Sequence, residues 1–170
     1  MDEEPVIDLH SDHYFMGEAL RQARRARAAE ETPIGAVIVH EGRVIARAFN
    51  QVETLKDATA HAEMLAVTQA QQVLGDWRLN GCSVYVTKEP CPMCAGALAL
   101  SRVDRVVFGL RDPKMGAVGG ALNLLQFPGS NHRAETAGGV REEECRELVI
   151  GFFAGQRLKN KAPDDPPGAA

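Results

Sequence analysis

Two short motifs constrain this chain more than any other part of its sequence: His61-Ala62-Glu63 and Pro90-Cys91-Pro92-Met93-Cys94. Together they supply one imidazole, two thiols and one carboxylate. Catalytic zinc ions are typically held by three protein ligands with a fourth position open, whereas structural zinc ions are closed by four. A carboxylate two residues after the histidine can carry protons for a metal-activated water. The motifs therefore predict a catalytic zinc bound by His61, Cys91 and Cys94, with Glu63 as general acid and base.

The Cys-x-x-Cys pair by itself has two other interpretations. One is a redox-active dithiol that follows a strand, as in thioredoxin-like proteins, but it leaves His61 and Glu63 without a role. The other is a structural zinc site, which needs a fourth ligand, and the other histidines show no ligand spacing with the motifs. A catalytic zinc accounts for both motifs. The two isolated cysteines, Cys82 and Cys145, are expected to be small buried apolar residues.

Length and composition indicate a single globular domain. The 170 residues are 45% hydrophobic and 25% charged, as in ordinary globular proteins. We expect a domain over residues 12–161 between disordered tails at residues 1–11 and 162–170. No apolar run approaches the ~20 residues of a membrane span, and the acidic N-terminus does not resemble a signal peptide, so we expect a cytoplasmic protein with no membrane partner. A net charge of −4 argues against bulk attraction to nucleic acid but allows a local basic surface.

Hydrophobic periodicity predicts strands that alternate with helices. Helices are expected over residues 12–29, 60–73, 90–100 and 140–161, with a short one over residues 122–125. Strands are expected over residues 34–40, 43–49, 83–87, 105–110 and 132–136, the first two joined by a tight turn at Glu41-Gly42. The intervening residues 51–59 and 111–120 are expected to be loops. The arginines of the first helix are interpreted as a solvated face rather than as contacts to nucleic acid.

A hairpin followed by alternating strands and helices predicts a mixed α/β sheet covered on both faces. Both motifs fall where a helix begins after a strand or its loop, with His61 expected in the first turn of its helix. Ligands of open α/β sheets collect at such corners. The dipole and free N–H groups of a helix start also favour a thiolate at Cys91. The two motifs, distant in sequence, thus share one structural setting.

With these motifs the chain resembles the bacterial tRNA-specific adenosine deaminases, within the zinc-dependent cytidine deaminase superfamily, whose signature is HxE followed by PCxxC. The resemblance spans roughly residues 13 to 158. Beyond the signature it includes Pro33-Ile34-Gly35-Ala36-Val37, Asn50, Arg105-Val106-Val107-Phe108-Gly109, Arg111-Asp112-Pro113-Lys114 and Asn131-His132-Arg133. Four residues at three places in the chain depart from the family pattern. Lys88 replaces a residue that is usually apolar, which we expect to affect packing only, while Gln126-Phe127 and Gln156 replace residues that are often histidine or basic.

The resemblance implies a three-layer α/β/α fold of the cytidine deaminase type around a mixed, mostly five-stranded sheet. It implies homodimers with one zinc ion per subunit that convert the wobble adenosine in the anticodon loop of an arginine tRNA to inosine, releasing ammonia. It also suggests which residues bind the substrate: Asn50 on the flipped base, Pro33 and Ile34 in the pocket wall, Asp112 near the sugar, and Asn131, Phe153 and Arg157 on the RNA. Backbone N–H groups near Ala62, at the helix start, are expected to polarise the base edge.

Several of these residues have simpler interpretations. Asn50 could merely end the second strand, and Asp112 could be an ordinary turn residue before Pro113. In the last helix, Phe152 and Phe153 could both be core residues, with Arg157 and its neighbouring lysines keeping the helix soluble. Because adjacent helical residues point about 100° apart, the two rings are expected to differ in burial.

Two other functions share parts of this pattern. A free-base or nucleoside deaminase, acting on guanine or cytosine, would have the same zinc site but no evident need for Asn131-His132-Arg133 or a basic last helix. A zinc-binding interaction module without catalysis would gain nothing from an unligated Glu63 beside the metal.

Overall fold

In the computed structural model, which describes residues 8–161, a mixed five-stranded sheet forms the middle layer. Its strands are β1 (Gly35–His40), β2 (Arg43–Phe49), β3 (Cys82–Lys88), β4 (Arg105–Leu110) and β5 (Glu135–Ala137), in the order β2-β1-β3-β4-β5. Strand β1 pairs antiparallel with β2 and β3, whereas β3, β4 and β5 run parallel. The predicted mixed five-stranded sheet is therefore confirmed.

Helices cover both faces of this sheet and complete the three layers. They are α1 (Asp12–Ala28), α2 (Val52–Leu55), α3 (Ala62–Leu74), α4 (Pro92–Leu100) and α5 (Glu142–Asn160). One hydrophobic cluster joins α3 and α4 to the sheet, and a second joins α1 and α5 to its other face. Among the helices of residues 8–161, none combines the length and apolar character that crossing a lipid bilayer requires.

The chain ends were expected to be disordered tails. Most of that expectation, residues 1–7 and 162–170, lies outside the described residues. At the start of the described chain, residues 8–11 form a turn whose Ser11 Oγ accepts a hydrogen bond from the Tyr14 N–H and so caps α1. This cap satisfies one of the N–H groups that a helix start leaves without a partner.

The largest departure from the predicted elements lies in residues 51–59, which were expected to be a loop but contain α2. The cause is a distant residue. The buried Glu31 carboxylate accepts hydrogen bonds from the N–H groups of Glu53 and Thr54 and from the Thr54 hydroxyl, at 3.2, 2.6 and 2.8 Å. An acceptor from outside the segment thus takes the N–H groups at the helix start, and no local pattern in the sequence could reveal it.

Three smaller boundaries also differ. His61 has an extended backbone and is the N-cap of α3, so the expectation that it lies in the first helical turn is wrong. The expected short helix over residues 122–125 is a single 3-10 turn at Leu124–Gln126, and the last strand begins at Glu135 instead of residue 132. Helix ends are the least certain feature of a periodicity pattern, because the pattern marks the buried face and not the caps.

Candidate active site

The two motifs meet at the N-termini of α3 and α4. His61 is the N-cap of α3, Cys91 is the N-cap of α4, and Cys94 lies in the first turn of α4. The His61 Nδ1 atom is 3.6 Å from Cys91 Sγ and 3.5 Å from Cys94 Sγ. One ligand atom from each residue lies within 4.8 Å of the others. Within residues 8–161 these three side chains form the one such group of possible metal ligands.

The spacing of these atoms fits a tetrahedral zinc ion. Zinc binds sulfur at about 2.3 Å and imidazole nitrogen at about 2.0–2.1 Å, so tetrahedral ligands of these two kinds lie about 3.6 Å apart. The observed nitrogen–sulfur distances of 3.6 and 3.5 Å match this separation. One imidazole and two thiols are also a ligand set that zinc favours. These residues can therefore hold a metal ion without rearrangement.

The electrostatics of the cluster favour a thiolate. The pKa of Cys91 is lowered to about 4, mainly because Cys94 forms a hydrogen bond with the Cys91 sulfur. Burial opposes this shift, and a hydrogen bond with His61 adds to it. The same contact with Cys91, together with burial, raises the pKa of Cys94. The pKa of His61 is raised, mainly by its hydrogen bond with Cys91. Because the thiolate is the form of cysteine that binds metals, Cys91 is already in its ligand form at neutral pH.

Glu63 lies beside the cluster but is not part of the ligand group. It is in the first turn of α3 and only 5% exposed. Burial raises its pKa above the ordinary value, and hydrogen bonds from its own backbone N–H and from Cys94 oppose this effect. A carboxylate with a raised pKa next to a metal site can both accept and release a proton near neutral pH.

Asn50 is held against the start of α3. The Asn50 Oδ1 atom accepts a hydrogen bond from the Ala62 N–H at 2.8 Å, and the backbone N–H of Asn50 donates to the carbonyl of Ile34. We correct one expectation here, because the Ala62 N–H is engaged by Asn50 and is not a free donor for a substrate. The other two pocket residues adjoin Asn50: Pro33 is buried and Ile34 is partly buried.

A buried glutamate that the sequence did not single out anchors the loop of residues 112–120 to the segment that leads into α4. Glu89 is 5% exposed and accepts hydrogen bonds from the N–H groups of Asp112, Val118 and Gly120, at 3.2, 3.2 and 2.9 Å. A side chain at Gly116 or Gly120 would collide with Glu89 or with the Asp112 carbonyl, which accounts for glycine at both positions. The sequence does show an acidic residue directly before Pro90-Cys91. It could not show that this residue anchors a loop, because the three partners of Glu89 lie more than twenty positions away.

Asp112 begins this anchored loop with both carboxylate oxygens in use. Its Oδ1 atom accepts the N–H groups of Lys114 and Met115 at 3.0 Å each, and its Oδ2 atom lies 3.1 Å from Lys88 Nζ. Burial pushes the Asp112 pKa upward, but the hydrogen bonds from Met115 and Lys88 lower it overall. The turn-forming role of Asp112 is therefore confirmed. The expectation that Lys88 affects packing only is wrong, because its ammonium forms an ion pair.

The remaining predicted RNA contacts lie away from the metal ligands. Asn131 is exposed and lines an open groove beside the second half of α4. Phe153 and Arg157 are exposed on α5, which packs on the opposite face of the sheet from α3 and α4. Phe152 is less exposed than Phe153, as the helical geometry predicted, and the two rings pack edge to face with centroids 5.3 Å apart.

Two residues of the Asn131-His132-Arg133 motif hold its loop in place. His132 Nε2 lies 2.7 Å from the Val103 carbonyl, and Arg133 donates to the Gln126 carbonyl at 3.2 Å. Gln126, one of the positions that depart from the family pattern, also donates to the Ala134 carbonyl at 3.0 Å. These contacts give Gln126, His132 and Arg133 a structural role. Of the other departures, Phe127 is exposed and Gln156 is partly buried in the groove between α1 and α5.

The isolated cysteines behave as apolar core residues. Both are buried, and burial raises the pKa of Cys82 to about 11 and that of Cys145 to about 12. A thiol with so high a pKa is protonated at neutral pH and is a poor nucleophile and metal ligand. The expectation that Cys82 and Cys145 only fill space is confirmed.

Comparison with known proteins identifies related deaminases. Residues 10–157 match the family of MafB19-like deaminases. The tRNA-specific adenosine deaminase of Bacillus subtilis is 52% identical over 154 residues, which cover 91% of this chain and 96% of that protein. The similarity therefore extends over nearly the whole length of both proteins and is not confined to the metal-binding motifs.

Two solved structures share the fold. One comes from a study of A-to-I editing by tRNA:A34 deaminases at the wobble position of transfer RNA; it is 44% identical, with a TM-score of 0.77, and the match covers 79% of this chain and 98% of the other. The second is a guanine deaminase from Nitrosomonas europaea, which is 25% identical, with a TM-score of 0.75 and coverage of 90% and 89%. The fold is thus common to deaminases of a polynucleotide and of a free base, and the higher identity is with the former.

Proposed function

The chain belongs to the family of tRNA-specific adenosine deaminases, and we propose that it hydrolyses adenosine to inosine at the wobble position of a tRNA anticodon, releasing ammonia. The observation that carries this proposal is the His61, Cys91 and Cys94 cluster at two helix starts, with the buried Glu63 next to it. The identity of 52% to a deaminase of tRNA supports the choice of substrate.

His61, Cys91 and Cys94 would hold one zinc ion per chain. Bound zinc supplies a Lewis acid that activates water as a nucleophile at neutral pH. Three ligands from the protein leave one coordination position open, as hydrolytic zinc sites require. The thiolate at Cys91 prepares the cluster for a cation, since its pKa of about 4 keeps it charged throughout the physiological range.

Glu63 would move the protons of the reaction. Its carboxylate takes a proton from the attacking water and gives it to N1 of adenine. It then takes the proton of the hydroxyl now on C6 and gives it to the departing amino nitrogen. Water adds to C6 and the bond from C6 to the amino nitrogen breaks, so the products are inosine and ammonia. Burial raises the pKa of Glu63, which brings it closer to the operating pH and makes both directions of transfer accessible.

Asn50 would hold the base through its amide nitrogen, because its amide oxygen already accepts the Ala62 N–H. Pro33 and Ile34 would form the apolar wall against which a flipped base packs, because an extruded base loses its stacking partners in the RNA and needs a replacement. Phe153 and Arg157 would bind the RNA outside the pocket, by stacking on a base and by contacting a phosphate.

A homodimer and an arginine tRNA as substrate belong to the same proposal. An exposed apolar surface beside α4 supports the dimer. It includes Trp77, Leu100 and Phe127, with exposed fractions of 50, 77 and 55%, on the rim of one open groove. Large contiguous apolar surfaces on a folded protein usually mark an interface. A reaction on tRNA also agrees with the cytoplasmic location expected from the sequence.

The test uses a stem-loop RNA with adenosine at the wobble position. The zinc-loaded protein should convert that adenosine to inosine, detected by nucleoside analysis of the digested RNA, and should leave free adenosine, cytidine and guanine unchanged. A stem-loop with adenosine moved into the stem serves as the control, because a paired and stacked base cannot enter the pocket without a larger energetic cost.

The likeness to a guanine deaminase favours one rival function. If the protein converts free guanine to xanthine and does not act on the stem-loop, the rival is correct. Failure to act on either substrate, in protein that contains zinc, would leave the non-catalytic zinc-binding module as the better description.

A further inference from the structure

Lys88 lies at the end of β3 on the face of the sheet that carries the metal cluster. Side chains alternate between the two faces of a strand, so Lys88 shares its face with Val84 and Val86. Both valines belong to the hydrophobic cluster that includes Ala62 of α3 and Ala95 of α4. Lys88 extends this row by one position beyond the apolar core, at the carboxyl end of β3, where residues 89–91 lead into α4.

The Lys88 ammonium is held in place and is still accessible. Its one ion-pair partner among residues 8–161 is Asp112, at 3.1 Å, and the side chain is 32% exposed. Asp112 is itself fixed, since its other oxygen caps the turn at Lys114 and Met115 and its backbone N–H is bound by Glu89. An ammonium has three donors. The pair with Asp112 therefore positions the cation and leaves donors for a ligand that approaches from solvent.

Lys88 also lies next to the metal-binding residues along the chain. It is the last residue of β3 and stands three positions before Cys91, the N-cap of α4. Because Lys88 faces the side of the sheet that α3 and α4 cover, its ion pair with Asp112 lies on the same side as the His61, Cys91 and Cys94 cluster.

We propose that Lys88 binds a phosphate of the RNA chain next to the target adenosine and so favours a polynucleotide over a free base. This inference rests on the proposed function. A base that reaches the metal ligands brings its flanking phosphodiesters to the side of the sheet where Lys88 and Asp112 lie. The Asp112 carboxylate alone would repel a phosphate, whereas the pair with Lys88 neutralises it and presents N–H donors.

A simpler role is possible for Lys88, namely to neutralise Asp112 and tether the loop. The two roles separate in a set of four zinc-loaded variants: Lys88→Met, Lys88→Arg, Asp112→Asn and the double variant Lys88→Met/Asp112→Asn. Affinity for the wobble stem-loop is measured as Kd by fluorescence anisotropy over a range of salt concentrations. Deamination rates give kcat, and melting temperatures report on the loop.

If Lys88 binds a phosphate, the double variant binds the stem-loop about 3–10-fold more weakly than Asp112→Asn alone at about 0.1 M salt. Its plot of log Kd against log salt concentration is also flatter by about 0.7, the value for one phosphate contact in single-stranded RNA. Lys88→Arg keeps most of the affinity, and kcat changes by less than about twofold. If Lys88 only neutralises Asp112, the double variant binds as Asp112→Asn does at every salt concentration, and the proposal is overturned.

A modified RNA identifies the phosphate directly. Replacing each phosphate that flanks the target adenosine by an uncharged methylphosphonate should weaken binding to the wild-type protein at one position and have no further effect on Lys88→Met. Equal losses in both proteins at every position would contradict the contact. Arg43→Gln provides the control for loss of one cation, because Arg43 is exposed at the opposite end of the sheet, where it pairs with His40 of β1.

These outcomes are separable from the fate of the proposed function. Absence of inosine with the wild-type protein would refute the deaminase assignment on this RNA, while the Kd comparison would still decide whether Lys88 contacts a phosphate. Inosine formation with identical Kd values for wild type and Lys88→Met would refute the Lys88 contact alone.

Discussion

The two faces of the sheet use the same kinds of residue for opposite purposes. On the face covered by α3 and α4, the thiol of Cys91 has a pKa of about 4 and lies 3.6 Å from an imidazole. On the face covered by α1 and α5, the thiol of Cys145 is buried among apolar groups and has a pKa of about 12. Burial raises the pKa of both thiols, and the hydrogen bonds from Cys94 and His61 to the Cys91 sulfur make the difference. Residue type alone therefore does not identify a reactive cysteine.

Charged side chains show the same contrast. On the α3 and α4 side, the carboxylates of Glu63 and Glu89 are buried and serve the site or its loop. On the α1 and α5 side, ion pairs such as Lys159 with Glu30 are exposed, and such pairs contribute little to stability. We therefore expect substitutions on the first face to abolish chemistry and those on the second to change binding or stability modestly.

The largest effect is expected for the two ligand cysteines. Cys91→Ala and Cys94→Ala should each lose most of the bound zinc and all measurable deamination, because two ligands do not hold a catalytic zinc. Elemental analysis of freshly purified protein gives the zinc content, with near-equimolar zinc expected in the wild type. Cys82→Ala and Cys145→Ala are the matched controls and should keep their zinc. Full zinc retention in both Cys91→Ala and Cys94→Ala would show that these two cysteines are not the zinc ligands.

A somewhat smaller effect is expected for Glu63→Gln. This variant should bind zinc normally and melt near the wild-type temperature, because Glu63 is not a ligand. Its kcat should fall by about 10²–10⁴-fold, the usual contribution of general acid–base catalysis. Single-turnover deamination of the stem-loop measures the loss, and Glu89→Gln provides a comparison with another buried carboxylate. Loss of zinc from Glu63→Gln would show that the carboxylate is a ligand and that the mechanism is wrong.

Effects on the other face are expected to appear in RNA binding. Phe153→Ala should weaken binding of the stem-loop by about 1–3 kcal/mol if the ring stacks on a base. Arg157→Ala should weaken it less and flatten its salt dependence. Both residues are exposed, so the melting temperature and zinc content should be nearly unchanged.

Ile150→Ala is the control for these two variants, since Ile150 is an apolar residue of α5 that is 56% exposed. It should bind RNA as the wild type does. If Phe153→Ala, Arg157→Ala and wild type bind RNA with equal affinity at every salt concentration, α5 does not bind RNA. Its role is then structural, and the substrate is bound on the α3 and α4 face alone.

The smallest effect is expected for a substitution at Asp12, the first residue of α1. Asp12 accepts hydrogen bonds from Arg105 and Tyr85, each at 2.8 Å. The hydrogen bond from Arg105 lowers the Asp12 pKa most; burial opposes it, and Tyr85 adds to the lowering. Asp12→Asn should reduce the free energy of unfolding at pH 7 by about 1 kcal/mol, a charge-assisted hydrogen bond discounted for partial exposure.

The pH dependence of this effect has a definite sign. Because the folded-state pKa of Asp12 lies below the ordinary value of 3.8, its contribution is fully present above pH 3.8 and is lost as the pH falls through the folded-state value. Urea unfolding of wild type and Asp12→Asn should therefore converge in acid. Asp104→Asn, at an exposed carboxylate beside β4, is the control and should change stability by less than about 0.5 kcal/mol. A constant difference at all pH values would show that the charge of Asp12 is not responsible.

Much of the fold and the metal cluster could be predicted because their signals are local. The apolar, β-branched runs of β1, β3 and β4 and the helical periods of α1 and α3 reflect burial that recurs along each element. The side chains of His61, Cys91 and Cys94 are of the types that commonly bind zinc, so their chemistry is visible in the sequence. Element ends and α2 were missed, because the groups that cap them, such as Glu31 for α2, come from elsewhere in the chain.

The sequence by itself predicted the three candidate metal ligands, a carboxylate at Glu63 outside that group, the layered α/β architecture and the family resemblance. The tertiary structure decided which polar atoms are already engaged. The Ala62 N–H is taken by Asn50 from 12 positions away, and Glu89 reaches Asp112, Val118 and Gly120 across 23, 29 and 31 positions. It also placed Lys88 against Asp112. Strand register and loop geometry set such contacts. They cannot be predicted from a periodic pattern in the sequence, because each contact joins residues that are neighbours only in space.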